Sequence, residues 1–252
     1  HRDLHRLLYG PDPGKARLNT GSAELERRVL DDVRSGAGTL LAQGYQASVR
    51  RYASSRGDLA VKSPHRSALQ GLLGRIAVKH EYAVYGRLHG VDGIPRCFGL
   101  VDGRHLVLEY VPGGSLRECE AGLRDRDRYF ALLRRTLESM HRAGIAHGDL
   151  KRKDNLIVGP EERPYIVDFG VACVRPASGR GWRAARFRLT EQMDYNAWIK
   201  LKYRRRTDAI SAEDLPLYRP LWIERLARWL RIGWQKATLR RPRQRWRARN
   251  RR

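Results

Sequence analysis

Two short segments constrain this chain more than any other part of it. The first, IAHGDLKRKDNLIV (145–158), runs through a cluster of charged and amide residues into an apolar run of three. The second, YIVDFG (165–170), is an apolar run that ends on Asp168. GPEERP separates them and has the composition of a turn. A lone His-Gly-Asp or Asp-Phe-Gly tripeptide is common and constrains little. Both in order, each beside a short apolar strand, specify a hairpin with Asp149, Lys151, Asp154, Asn155 and Asp168 at its edge.

The rest of the chain organises around that hairpin. LLAQGYQASVRRY (40–52) and DLAVK (58–62) read as two strands around a Ser/Arg/Gly turn. A helix is expected from Leu72 to Leu88, where apolar residues recur at three-to-four spacing, and Gly90, Gly93 and Pro95 end it. CFGLVDG and RHLVLEYV form a hairpin turning at Asp102–Gly103. VPGGSL (111–116) is a break fit for a hinge. Residues 126–142 then read as a helix with Phe130, Leu133, Leu137 and Met140 on one side, and 193–206 as the start of another. The remainder after Gly170 is helical in tendency and progressively more basic, and its Arg-rich stretch 175–193 shows no phosphorylation-controlled layout. The fold class is therefore α+β and bilobal: an N-terminal extension (1–38), a strand-rich lobe (39–110), a hinge (111–116), a reduced helical lobe (117–215) and an amphipathic, basic end (216–252). A cleft between two such lobes suits a ligand.

At this point the sequence resembles the protein-kinase superfamily, whose catalytic loop reads His-x-Asp-Leu-Lys, then Asn, with Asp-Phe-Gly further on. The resemblance implies ATP and Mg²⁺ as cofactors and a minimal kinase-like fold. It implies that Asp149 orients the attacking hydroxyl as base and that Lys151 is the cation beside it; Asn155 and Asp168 bind the metal. One feature departs from the family. The residue five places after Asp149 is Asp154, and the Asn comes one later. Asn155 is preferred as ligand because the strand LIV follows it directly, with Asp154 as the alternative. Upstream, Ala60-Val61-Lys62 resembles the strand whose lysine holds the ATP phosphates, with Glu81 of the next helix as its partner. The glycine-rich loop is reduced to Gly44 between the strands, with Val49 expected over the adenine. Glu109-Tyr110-Val111 resembles the hinge, the backbone of Glu109 and Val111 meeting the adenine edge. His1-Arg2-Asp3-Leu4 spells the catalytic motif too, but no strand follows it, and it reads as surface or helix-start sequence.

After Gly170 neither an Ala-Pro-Glu end nor a peptide-docking helical subdomain is visible. The minimal pattern, with Asp194 followed by Lys200-Leu201-Lys202, looks like the bacterial lipopolysaccharide core kinases, which phosphorylate heptose or Kdo sugars. That likeness implies an anionic glycolipid, or another phosphate-bearing molecule, as acceptor. The rivals are an atypical minimal serine/threonine kinase, whose Arg-rich 175–188 would accept an acidic peptide, and a pseudokinase or basic binding protein. The last conflicts with the presence of every catalytic residue type.

Charge bears on partners. Lys and Arg number 51 against 27 Asp and Glu, a formal +24, which calls for a polyanionic partner. Nucleic acid is disfavoured, since neither aromatic platforms nor a reading helix is evident. An anionic membrane surface fits better. PLWIERLARWLRIGW (220–234) places Trp222, Leu226, Trp229 and Leu230 near one face, and residues 225–252 hold 12 basic and no acidic side chains. No run approaches the ~18 apolar residues of a spanning helix, no apolar signal-peptide core opens the chain, and three widely spaced cysteines fit a reducing compartment. The expected location is cytoplasmic, peripheral on the inner face of the cytoplasmic membrane. The oligomeric state is left open.

Overall fold

A computed structural model describes residues 30–33, 35, 38–43, 47–53, 57–64 and 68–220. The expected glycine loop at Gly44, most of the N-terminal extension and the amphipathic C-terminal segment lie outside the described residues, apart from Pro220 at its start.

The first lobe is a five-stranded antiparallel sheet in the order β1-β2-β3-β5-β4. Its strands are β1 (Thr39–Gln43), β2 (Ala47–Tyr52), β3 (Leu59–Pro64), β4 (Cys97–Val101) and β5 (His105–Glu109). The stretch 40–52 thus holds two strands, with Gln43 pairing with Ser48. Between β4 and β5 the turn at Asp102 (φ 50°) and Gly103 (φ 60°) has both central residues in the left-handed region, which Asp-Gly tolerates. Strand alternation sorts the side chains. Leu59 and Val61 join Tyr52, Val101 and Val107 in a small core on one face, where Leu30 and Val33 also pack. Lys62 is sent to the other face, towards helix α1 (Ala68–Arg87). That helix begins four residues before the apolar periodicity does.

The second lobe is carried by α3 (Arg126–Arg142) and α4 (Gly181–Lys202), with the short α2 (Leu116–Cys119) after the hinge. β6 (Gly114–Ser115) lies inside the expected break and pairs with β8 (Leu156–Val158), which pairs with β9 (Pro164–Ile166). β7 (Ile145–Ala146) pairs with β10 (Cys173–Val174). Helix α4 starts twelve residues earlier than expected, at Gly181 rather than at 193. The arginines of 183–188 hide its buried stripe of Ala184, Phe187, Thr190 and Asp194, and arginine is itself a good helix former. Beyond α4, Asp214 is buried and accepts from Lys202 Nζ (2.6 Å), Tyr203 Oη (2.7 Å) and Arg134 (3.2 Å). Asn196 then ties down the backbone of Arg219. Among the described residues, no helix is long and apolar enough to cross a membrane.

One core joins the lobes. Val78, Val84, Tyr85 and Leu88 of α1 and Leu106 and Leu108 of β5 are contiguous with Leu116, Phe130, Leu137, Ile145, Leu156 and Trp198 below. The chain passes between lobes at Gly113, where φ is 137° and an added Cβ would lie 2.0 Å from the Val158 carbonyl oxygen. That approach brings β6 onto β8 and so fixes the hairpin beneath the cleft. Gly113→Ala is expected to destabilise the protein by more than about 2 kcal/mol, a fall of roughly 5 °C in Tm. Gly122→Ala, where a Cβ meets nothing within 4 Å, should stay within about 0.5 kcal/mol in the same thermal melt.

Candidate active site

Lys62 projects from β3 beneath the sheet, and Val49 sits directly opposite it in the β2–β3 register, on the same face. The Lys62 ammonium donates to Glu81 Oε2 at 2.7 Å and to Asp168 Oδ1 at 2.9 Å. Burial works against that ammonium, but Glu81 and then Asp168 hold its pKa above the usual lysine value. Glu81 is 1% exposed, and burial lifts its carboxyl above the ordinary glutamate range although Lys62 pulls the other way. Its second oxygen, Oε1, accepts the Phe169 N–H at 3.1 Å. Asp168 is half open to solvent, and against a burial cost Lys62 keeps its carboxyl below the ordinary aspartate value.

The Asp168 backbone stands at φ 67°, a left-handed conformation that aspartate tolerates better than most residues. The bend it makes turns the next residue inward. Phe169 is fully buried, edge-on to Tyr85 at 5.1 Å and tilted on His147 at 5.0 Å. His147 is fully buried too. Its Nε2 meets the Val167 carbonyl oxygen at 3.0 Å, and Asp149 N–H donates to its Nδ1 at 3.2 Å. These partners set the ring with its proton on Nε2.

Asp149 leaves the loop about one-fifth exposed, with Lys151 Nζ at 3.7 Å and Arg152 Nη1 at 3.9 Å. Asn155 closes the loop: its Nδ2 donates to the Asp149 carbonyl oxygen (3.1 Å), and its own carbonyl accepts from Val167 N (3.0 Å). The extra residue of the loop is taken up in a 3-10 turn, Lys153–Asn155. Asp154 faces away, with both carboxylate oxygens bound by Arg117 at 2.7 and 2.9 Å. Lys153 is held by Glu120, which also takes Arg126. The structure therefore links Lys62, Glu81, Asp168, Asn155, Asp149 and Lys151 through one run of contacts, and turns Asp154 away to Arg117.

At the expected hinge, Glu109 ends β5, its N–H bonded to the Arg96 carbonyl (2.8 Å) and its side chain accepting from Arg96 N (3.0 Å). Tyr110 N–H goes to the Asp58 carbonyl at 3.0 Å, and Val111 packs close to Gly159. A cavity of about 490 Å³ lies between residues 88–97, α3 and the turn before β9, with Glu109 of the expected hinge, Asp92, Arg96, Arg135 and Arg163 on its walls.

Asp194 supports the loop from below and was not among the expected site residues. It is 1% exposed; Oδ2 accepts His147 N–H at 2.6 Å and Oδ1 accepts Gly148 N–H at 2.8 Å. His141 Nε2 lies 3.2 Å from the same carboxylate. An acid that falls among the buried positions of a helix is the signal that marks it, because a buried carboxylate requires such partners. Asp194→Asn is expected to cost about 1–3 kcal/mol in stability, since an amide nitrogen then faces one of the two N–H groups. If Asp194 positions Asp149, kcat falls while the nucleotide KM holds in steady-state kinetics.

Comparison with known proteins gives the same picture. The protein kinase domain model matches residues 43–197. The chain is 34% identical over 73 residues to a probable serine/threonine-protein kinase of Dictyostelium discoideum, covering 27% of this chain and 5% of that protein. It is 36% identical over 81 residues to the serine/threonine-protein kinase grp of Drosophila melanogaster (30% and 16%). It is 38% identical over 77 residues to the serine/threonine-protein kinase PknL of Mycobacterium tuberculosis (28% and 19%). In these matches the chain spans less than a fifth of the length of each relative.

Proposed function

The chain belongs to the protein kinase domain family, and from that premise we propose that it transfers the γ-phosphoryl group of ATP to a serine or threonine hydroxyl of a protein. The observation that carries this reading is the Glu81 bridge, one oxygen on Lys62 and the other on the Phe169 N–H, which holds the cation against the Asp168 carboxylate. The relatives named above, all serine/threonine kinases, support the protein acceptor over a sugar.

In this reading Lys62 binds phosphate oxygens of ATP, and Glu81 keeps its ammonium in place. The Asp168 carboxylate and the Asn155 amide oxygen are hard donors that fit Mg²⁺, an ion that takes one or two protein oxygens and fills its shell from water and phosphate. When bound, the ion neutralises charge across the phosphates. Asp154 is not assigned to it, because Arg117 occupies both its oxygens. The backbone of Glu109 and Val111 bonds the adenine edge beneath Val49, and Gly44 covers the phosphates. Asp149 accepts a hydrogen bond from the acceptor hydroxyl, orients it in line and takes up its proton, while Lys151 meets the transferring group.

A second reading keeps the chemistry and changes the acceptor to a lipopolysaccharide core sugar on an anionic glycolipid, at the inner face of the cytoplasmic membrane. Ten residues separate Gly170 from Gly181 of α4, a short segment without an Ala-Pro-Glu end, and this favours a small acceptor. The tryptophans and arginines of 220–252 would then meet lipid phosphate.

Asp149→Asn is expected to cut phosphoryl transfer by at least about a hundredfold with nucleotide affinity near normal. Asp168→Ala should abolish the Mg²⁺-dependent part of nucleotide affinity. Purified protein supplied with Mg²⁺·ATP, generic protein acceptors and lipid-linked core sugars should label serine or threonine, as located by mass spectrometry. Label confined to the sugar would select the second reading, and near-normal turnover in Asp149→Asn would reject the role of that residue.

A further inference from the structure

The cavity of about 490 Å³ sits where the lobes meet, between the loop that joins α1 to β4, helix α3 and the turn before β9. None of Lys62, Asp149, Asn155 and Asp168 lines it, so the chemistry described above leaves it without a task. Its size is that of pockets which hold small organic ligands. Part of the wall is apolar, with Leu88, Ile94, Leu132 and Pro164. Leu88 and Ile94 belong to the core shared by the two lobes. Thr136 lies on the same wall; it is 6% exposed, and its hydroxyl makes no hydrogen bond among the described residues. A donor kept from water and given no protein partner is left for an occupant.

The rest of the wall is charged. Arg96, Arg135 and Arg163 line it, against two acids, Asp92 and Glu109. Both acids are engaged by the fold: Glu109 accepts the Arg96 N–H at 3.0 Å, and Asp92 stands 3.7 Å from the Arg163 guanidinium. The guanidiniums of Arg96 and Arg135 have neither an ion pair nor a hydrogen bond among the described residues, and both residues are exposed. They come from different lobes. Arg96 directly precedes β4 and is fixed at its backbone, its carbonyl accepting the Glu109 N–H at 2.8 Å, whereas Arg135 stands on α3. Two unneutralised cations, an apolar surface and an unpartnered buried hydroxyl therefore share one cavity.

We propose that this cavity is a binding site for a small organic phosphate, a phosphate monoester carried on a compact apolar body. The Arg96 and Arg135 guanidiniums hold the phosphate, since their forked donors match its oxygens, and the body covers Leu132 and Pro164 beside the Thr136 hydroxyl. Such an occupant touches both lobes. It also leans on supports of the active site: the Gly93 carbonyl accepts the Ile166 N–H at 2.8 Å, two residues before Asp168, and Tyr85 on the same wall is the ring packed against Phe169.

The test uses the full chain with inorganic phosphate and phenyl phosphate as probes, read by calorimetric titration and thermal melt. Phenyl phosphate should bind at least about tenfold more tightly than inorganic phosphate and raise the melting temperature, since it adds apolar contact and binds only the folded chain. Its affinity should fall at least about tenfold in the double variant Arg96→Ala, Arg135→Ala. It should stay within about twofold in Arg128→Ala, an exposed arginine of α3 that does not line the cavity, and in Lys62→Met. Equal affinities for the two probes would overturn the proposal, as would a double variant that binds like the parent. An equal loss in Arg128→Ala would reduce the effect to general charge attraction, and a loss in Lys62→Met would place the probe at the nucleotide lysine; either outcome also overturns it. Melts without probe report whether each variant folds. Should the double variant fail to fold, Arg135→Ala alone, at an exposed position, must still lose at least about threefold in affinity.

Discussion

The Glu81 carboxylate is the contact on which the cleft depends. It is almost wholly removed from water, and each of its oxygens has a different task. One holds the ammonium that hangs from the sheet, and the other caps an N–H of the segment that ends the lower hairpin. A buried carboxylate without such partners would be costly enough to protonate or to swing out. Helix α1, strand β3 and the Asp168 turn are therefore positioned by one group, and a displacement of any of the three leaves a charge unpaired in the other two. The aromatic stack behind it, Tyr85 on Phe169 on His147, gives that arrangement a packed apolar backing.

Asp194 plays the matching part below. The loop that presents Asp149 is not a regular element, and its first two N–H groups point into the protein. A single carboxylate at the right turn of α4 accepts both. That carboxylate sits on a 22-residue helix, so the loop is held against a rigid element rather than against another loop.

Much of this was legible in the residues alone. The two apolar triplets beside HGD and DFG gave the hairpin, Asp-Gly gave the turn between β4 and β5, and periodicity gave α3 to the residue. Lys62 and Glu81 were readable because each sits at a fixed place in an element. What escaped reading shares a physical cause, that charge masked packing. Arginines interspersed with the buried residues of α4 concealed their periodicity, and the helix looked twelve residues shorter than it is. Asp194 drew attention as part of a pattern, but its partners are backbone N–H groups of a loop 46 and 47 residues away, which no spacing in the chain reveals. Asp154 is turned away by Arg117, again a partner distant in sequence.

The shared core across the lobes has a consequence for how the molecule comes apart. In a two-domain protein each part can lose structure by itself, and the linker merely tethers them. Here the lower half of α1 and the inner face of β5 are packed in the same apolar mass as α3 and Trp198. Melting either lobe strips apolar cover from the other, so the two are thermodynamically one cooperative unit. The outer strands β1 and β2 contribute no side chain to that mass, so they are the part of the sheet whose local opening leaves the shared core intact.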